Sequence, residues 1–169
     1  MAWTANSWRI VAPMRAGWQP ITTTDTVKNH DLGTIVQAVH DTYGAGEFIY
    51  LLGVASTAIH NWVIYELDDW TTTRLVADAI GPVAVAMSAN VANQYGWYQI
   101  SGKTIGSCKT QFADNGIVFG TSTAGSVDDA SVSGDYVANA RGASATTANT
   151  FIADFEIARP FVDDRTANT

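Results

Sequence analysis

TIVQAVHDTYGAGEFIYLL, from Thr34 to Leu52, is the stretch on which the reading of the fold turns. Its two ends, TIVQAVH (Thr34 to His40) and EFIYLL (Glu47 to Leu52), are short runs of branched, aromatic and aliphatic residues, and the turn-like DTYGAG separates them. Such runs, about four to eight residues long and bounded by Gly or Asp clusters, form strands, whereas helices need longer ones. EFIYLL is apolar on both faces of the pleat, which predicts a strand buried on both sides or at an interface.

Further runs of the same kind follow. They are NWVIYE (Asn61 to Glu66), TRLVAD (Thr73 to Asp78), PVAVAM (Pro82 to Met87) and GWYQIS (Gly96 to Ser101), with TIGSC (Thr104 to Cys108) and GIVFG (Gly116 to Gly120) beyond them. Turn signals recurring every ten or so residues belong to an all-β chain, here a small β-barrel or β-sandwich. A closed or two-layered sheet is favoured, because open edges invite aggregation. SANVANQYG (Ser88 to Gly96) has fair helical spacing, with Ser88 placed to cap a short turn that Gly96 ends. Successive strand residues point to opposite faces. In PVAVAM, Val83, Val85 and Met87 share one face, and Ala84 and Ala86 form a small-residue face that admits a second layer or a neighbouring subunit. FIADFEIA alternates most clearly, with Phe151, Ala153, Phe155 and Ile157 against Ile152, Asp154 and Glu156, so a half-buried strand is expected there, stopped by Pro160.

The flanks read differently. Residues 1–31 carry Trp3, Trp8 and Trp18 among Arg9 and Arg15, interrupted by Pro13 and Pro20, and are expected as an extended arm. Trp and Arg dominate binding hot spots. The arm therefore either anchors on a partner or folds back over its own chain. Residues 32–162 form the β domain. Within it, the small, polar tract at about 120–149, whose larger apolar groups are Val127, Val132, Tyr136 and Val137, is too poor in bulk to make a core. It is expected as a surface loop or as a segment ordered by a partner. Residues 163–169 are expected as a mobile tail.

Nine basic and sixteen acidic residues give a net charge of −7, which offers nothing to a polyphosphate, so nucleic acid is not an expected partner. Charged residues are 15% of the chain, against about 25% in ordinary domains. A low-charge surface in a chain with six Trp and few Lys resembles one covered by neighbours. No apolar run is long enough to cross a membrane, and MAWTANSWRIVAP lacks the apolar core of a signal peptide, so a soluble chain made in the cytoplasm is expected. The single Cys108 cannot form an intramolecular disulfide and reads as a small buried hydrophobe.

Motifs for chemistry are missing. His30, His40 and His60 lack metal-ligand spacing, although Asp31 and Asp41 beside two of them are placed to orient imidazoles. The pairs Asp68-Asp69, Asp128-Asp129 and Asp163-Asp164 sit in turn-like contexts outside any calcium-loop pattern. GTSTAG (Gly120 to Gly125) has one residue too many for a nucleophile elbow, and GAG (Gly44 to Gly46) precedes a strand, not a helix. Neither an enzyme nor a bound cofactor or metal is expected.

GEFIYLLGVAST (Gly46 to Thr57) and IGPVAVAMSANVANQYGWYQISGK (Ile80 to Lys103) resemble capsid decoration, or cement, proteins of tailed bacteriophages. The resemblance spans about Leu32 to Lys103. It implies a small all-β protein on the virion exterior, made in the host cytoplasm, that binds the major capsid protein, commonly as a homotrimer, and stabilises contacts between capsid subunits. Two interaction surfaces are expected: the arm, through Trp3, Trp8, Arg9, Arg15 and Trp18, and a self-association face around Ala84 and Ala86. The competing readings are a carbohydrate- or receptor-binding module of a phage particle, stacking sugars on the aromatics of Gln94 to Gln99, and a glycosidase or lyase using Asp68 or Asp69.

Overall fold

The computed structural model describes residues 7–11 and 17–163. Twelve strands and no helix make up the described residues. In chain order they are β1 (Arg9–Ile10), β2 (Thr24–Asp25), β3 (Ile35–His40), β4 (Gly44–Leu52), β5 (Trp62–Tyr65) and β6 (Thr72–Arg74). The second half supplies β7 (Ile80–Ala86), β8 (Tyr95–Ser107), β9 (Ile117–Gly120), β10 (Val127–Asp128), β11 (Tyr136–Gly142) and β12 (Ile152–Asp163). All strand pairs are antiparallel and join in one sheet of order β1-β3-β4-β8-β7-β12-β11-β9-β10, with β2 added to β8 and β5-β6 added to β7.

The spine is β8, thirteen residues long. One edge pairs with β4, while along the other it meets β2, β7 and β12 in turn. Gly102, at φ +100°, sits inside it where a Cβ would meet the Ala45 carbonyl oxygen at 2.5 Å, so the close approach of β4 requires glycine there. GWYQIS and TIGSC, expected as two strands, are therefore one, bent at Gly102. The sheet curls without closing into a barrel. An isolated parallel bridge, Leu52 to Thr71, returns the β5-β6 hairpin to the end of β4. This is the sandwich-like form of the all-β expectation.

Three apolar clusters fill the folded sheet. One face of β4, β8, β7 and β5 contributes Ile49, Leu51, Tyr98, Ile100, Ala84, Ala86 and Val63. The opposite face divides between Phe48, Tyr50 and Trp97, packed under the N-terminal segment, and Trp62, Val83, Val85, Phe155 and Val162, packed with the C-terminal strands. β4 is thus buried on both faces, as its unbroken apolar run requires.

Several expectations are corrected. The small-residue tract at 120–149 is not one loop: β10 and β11 lie within it, and β11 is held between β9 and β12. It needs little bulk of its own because its neighbours supply most of the core, to which it adds Val127 and Val137. Pro160 does not stop the strand of FIADFEIA. Ala158 still pairs with Ser101 on β8, and the next pairing on that edge is Phe161 with Pro82 on β7, so the proline stands where β12 changes partner and no ladder bond is lost. Arg159 (φ 52°) and Asn139 (φ 60°) mark the matching irregularity against β11. β12 continues to Asp163, and 164–169 lie outside the described residues. TRLVAD shortens to Thr72–Arg74, and Ser88 to Gln94 forms turns instead of a helical segment.

Candidate functional site

Trp3 and Arg15 lie outside the described residues. The other arm residues rest on their own chain. Trp8 packs edge-on to Phe48, with ring centroids 4.7 Å apart, and tilts against His40 at 5.1 Å. Arg9 pairs with Asp41 at 2.6 Å, and β1 adds to β3. Trp18 stacks on His30 at 4.8 Å, beside Trp97. Of the two readings of the arm, these contacts belong to the fold-back.

Gln19 fastens that segment. Its Nε2 donates to the carbonyls of Thr23 and Tyr95, at 2.8 and 3.0 Å. Its Oε1 accepts from the Tyr50 hydroxyl at 2.7 Å and from Asn29 Nδ2 at 3.2 Å. Its main chain donates to His30 Nε2 at 3.0 Å and accepts from Trp97 Nε1 at 2.9 Å. Burial pushes the His30 imidazole below its ordinary pKa, in keeping with a neutral ring that accepts a hydrogen bond. Nothing in the sequence marks Gln19, since its partners lie up to 78 positions away.

Ala84 and Ala86 are fully buried within the chain. They share a face with Ile49, Tyr98 and Val63 and are covered by this chain alone, so that patch is closed to another copy. The same face of β7 emerges two residues earlier. Ala138, Phe161 and Pro82 stand in one row across β11, β12 and β7, and Ile80 follows at the next pleat. Phe161 is 40% exposed and Ile80 60%. Tyr136 shares the face, covering Phe119 at 6.0 Å between ring centroids. Tyr136, Ala138 and Pro82 are half-buried, so Phe161 and Ile80 are the exposed part of this apolar row, and Asp163 stands opposite Ile80.

Of the aromatics of Gln94 to Gln99, Trp97 and Tyr98 are fully buried and unavailable to a sugar, Trp97 spends its N–H on Gln19, and only Tyr95 is partly exposed. Asp69 accepts from the Thr71 amide at 3.0 Å and hydroxyl at 2.7 Å, hydrogen bonds that hold its carboxyl below the usual range and close a turn. Asp129 accepts from the Ala113 amide at 2.8 Å. Cys108 is buried in the core, and its thiol pKa is pushed up to about 11, first by burial and then by Asp128 and Asp129. Among the described residues no three His, Cys, Asp or Glu side chains are grouped to hold a metal.

A cleft of about 300 Å³ opens beside Trp8 at the border of the cluster that packs under the N-terminal segment, to which Trp8 and Met87 belong. His40, Tyr43, His60, Gln99 and Thr104 line it together with Trp8. Gln99 sits between Phe48 on β4 and Val85 on β7, fully buried. Its Nε2 donates to the carbonyls of Ser101 and Lys103, both at 3.0 Å, and its buried Oε1 has no partner. His40 Nδ1 accepts from the amides of Thr42 and Tyr43, at 3.0 and 3.3 Å, so the proton of the neutral ring is on Nε2. Burial holds His60 below its ordinary pKa. These residues come from positions scattered between 8 and 104, and only the topology brings them together.

Comparison with family models, curated proteins and solved structures returned no match to this chain.

Proposed function

We propose that the protein is a non-enzymatic structural component of a tailed-phage particle, bound to the capsid exterior, where it stabilises contacts between major capsid protein subunits. The observation that carries this reading is the row of Tyr136, Ala138, Phe161, Pro82 and Ile80 along one face of three strands, with Phe161 and Ile80 exposed. Contiguous exposed apolar surface on a low-charge chain is what a protein interface requires, and rigid strands present it without an ordering cost. The resemblance of Leu32 to Lys103 to decoration proteins supplies the partner. Self-association as a homotrimer belongs to the same proposal, through a surface other than the buried Ala84 and Ala86. The reading involves neither nucleic acid nor membrane.

The experiment mixes purified protein with expanded capsids lacking it, pellets them and counts bound copies. Saturation at a number compatible with icosahedral symmetry, with added heat resistance, is the expected result. Phe161→Ser combined with Ile80→Ser should weaken occupancy at least about tenfold, the scale of a lost hot spot. Failure of the wild-type chain to bind capsids overturns the proposal. Binding that the double variant leaves unchanged removes the row from it.

A further inference from the structure

We infer that the cleft beside Trp8 binds a neutral, polyhydroxylated ring the size of one monosaccharide. Gln99 provides the first reason. Both bonds made by its Nε2 run to backbone carbonyls, which fixes the amide orientation and leaves Oε1 as a buried acceptor without a donor. Buried polar atoms in native proteins almost always have partners, so a lone acceptor on a residue that borders a cavity points to a donor brought by a ligand.

His40 provides the second. With Nδ1 engaged by two backbone amides, its other nitrogen is a donor, and the residue lines the same cleft. A carbonyl could serve only the donor and an ammonium only the acceptor, whereas hydroxyls serve both. Trp8 and Tyr43 add aromatic surface, and Ile59 and Met87 add aliphatic surface, for the C–H faces of a ring. The lining contains no Asp, Glu, Lys or Arg, so nothing there recognises a charged substituent. A volume of about 300 Å³ lies at the small end for ligand sites, which limits the occupant to one ring. This site is separate from the apolar row and from the residues expected to stack sugars.

The test titrates the full chain, labelled with ¹⁵N, with glucose, galactose, mannose and N-acetylglucosamine while the Gln99 side-chain amide is followed by NMR. The expected result is a saturable shift at Gln99 and at the backbone of residues 40–44 for at least one sugar. Tyr43→Ala, at the partly exposed turn, should weaken that binding at least about tenfold with the fold intact, and Gln99→Leu should abolish it. The inference is overturned if no sugar gives a saturable shift up to about 100 mM, where a ligand of Kd 1 mM would fill nearly every site. It is equally overturned if Tyr43→Ala leaves affinity unchanged, or if glucuronate or glucosamine binds more tightly than glucose.

Discussion

Replacing Gln19 by alanine removes four side-chain hydrogen bonds at once: two from Nε2 to the carbonyls of Thr23 and Tyr95, and two to Oε1 from Tyr50 and Asn29. The Tyr50 hydroxyl matters most. The residue is fully buried, and burial raises its pKa, so the hydroxyl keeps a proton that must be donated somewhere. A buried donor left without an acceptor costs about 1–3 kcal/mol, and the remaining bonds add about 1 kcal/mol each where water does not replace them. The expected loss is about 2–4 kcal/mol. For a chain of 169 residues that lowers Tm by about 5–15 °C. Urea unfolding followed by Trp fluorescence measures it. Tyr50→Phe alone removes the needy donor and leaves Gln19 Oε1 with Asn29, so it should cost only about 1 kcal/mol. In the double variant the orphan is gone, and the two losses should fall short of their sum by about 1–2 kcal/mol. Additivity within about 0.5 kcal/mol would show that the Gln19 to Tyr50 bond does not hold the N-terminal segment, and would refute the reasoning.

Stability should also depend on pH in the histidine range. His30 and His60 are both held below the ordinary value of 6.5 by burial, so the unfolded chain takes up protons first. Their contribution is complete above about pH 6.5 and is lost as pH falls toward the folded values. Thermal melts between about pH 7.5 and 5 should show a falling Tm, and His30→Gln should flatten the slope; an unchanged slope removes His30 from the account. Gly106→Ala would place a Cβ 2.6 Å from Trp62 Nε1 and 2.9 Å from Phe155 Cδ2, an overpacking expected to cost about 1–3 kcal/mol in urea unfolding. Cys108, buried with its thiol pKa at about 11, should react with a thiol reagent only when the core opens. Labelling in native buffer should be at least about a thousandfold slower than in urea. Equal rates would contradict its burial.

The strand runs were legible where side chains are bulky. TIVQAVH, EFIYLL, NWVIYE, PVAVAM and GIVFG each correspond to a strand, and the two-sided apolarity of EFIYLL foretold its burial on both faces. β11 was not legible, because Tyr136–Gly142 holds mostly small and polar residues and owes its strand to pairing with β9 and β12. Pro160 misled because the rule that proline ends strands assumes an unbroken ladder, and β12 changes partner at that residue. Ala84 and Ala86 were rightly read as a close-packed face, but a pattern of small residues does not say whose second layer covers it. The cleft and the Gln19 cluster were invisible for one reason. Gln99, His40 and Trp8 are brought together by β8, β3 and the N-terminal segment, and spacing in sequence carries no trace of it.

The last strand in chain order occupies the middle of the sheet. β12 borders β8, β7 and β11, so nothing shorter than the chain through about residue 163 can satisfy those edges. Folding must wait for pairings such as Ile152 with Ser107 and Phe161 with Pro82, the latter separated by 79 positions. Such non-local closure is slow, because the entropy of the intervening loop is lost before the contact stabilises anything. While it waits, β7 and β8 offer open, apolar edges to any neighbouring chain. A fragment cut before residue 152 should therefore precipitate where the intact protein stays in solution, and a synthetic peptide of residues 152–163 added during refolding should compete with that loss.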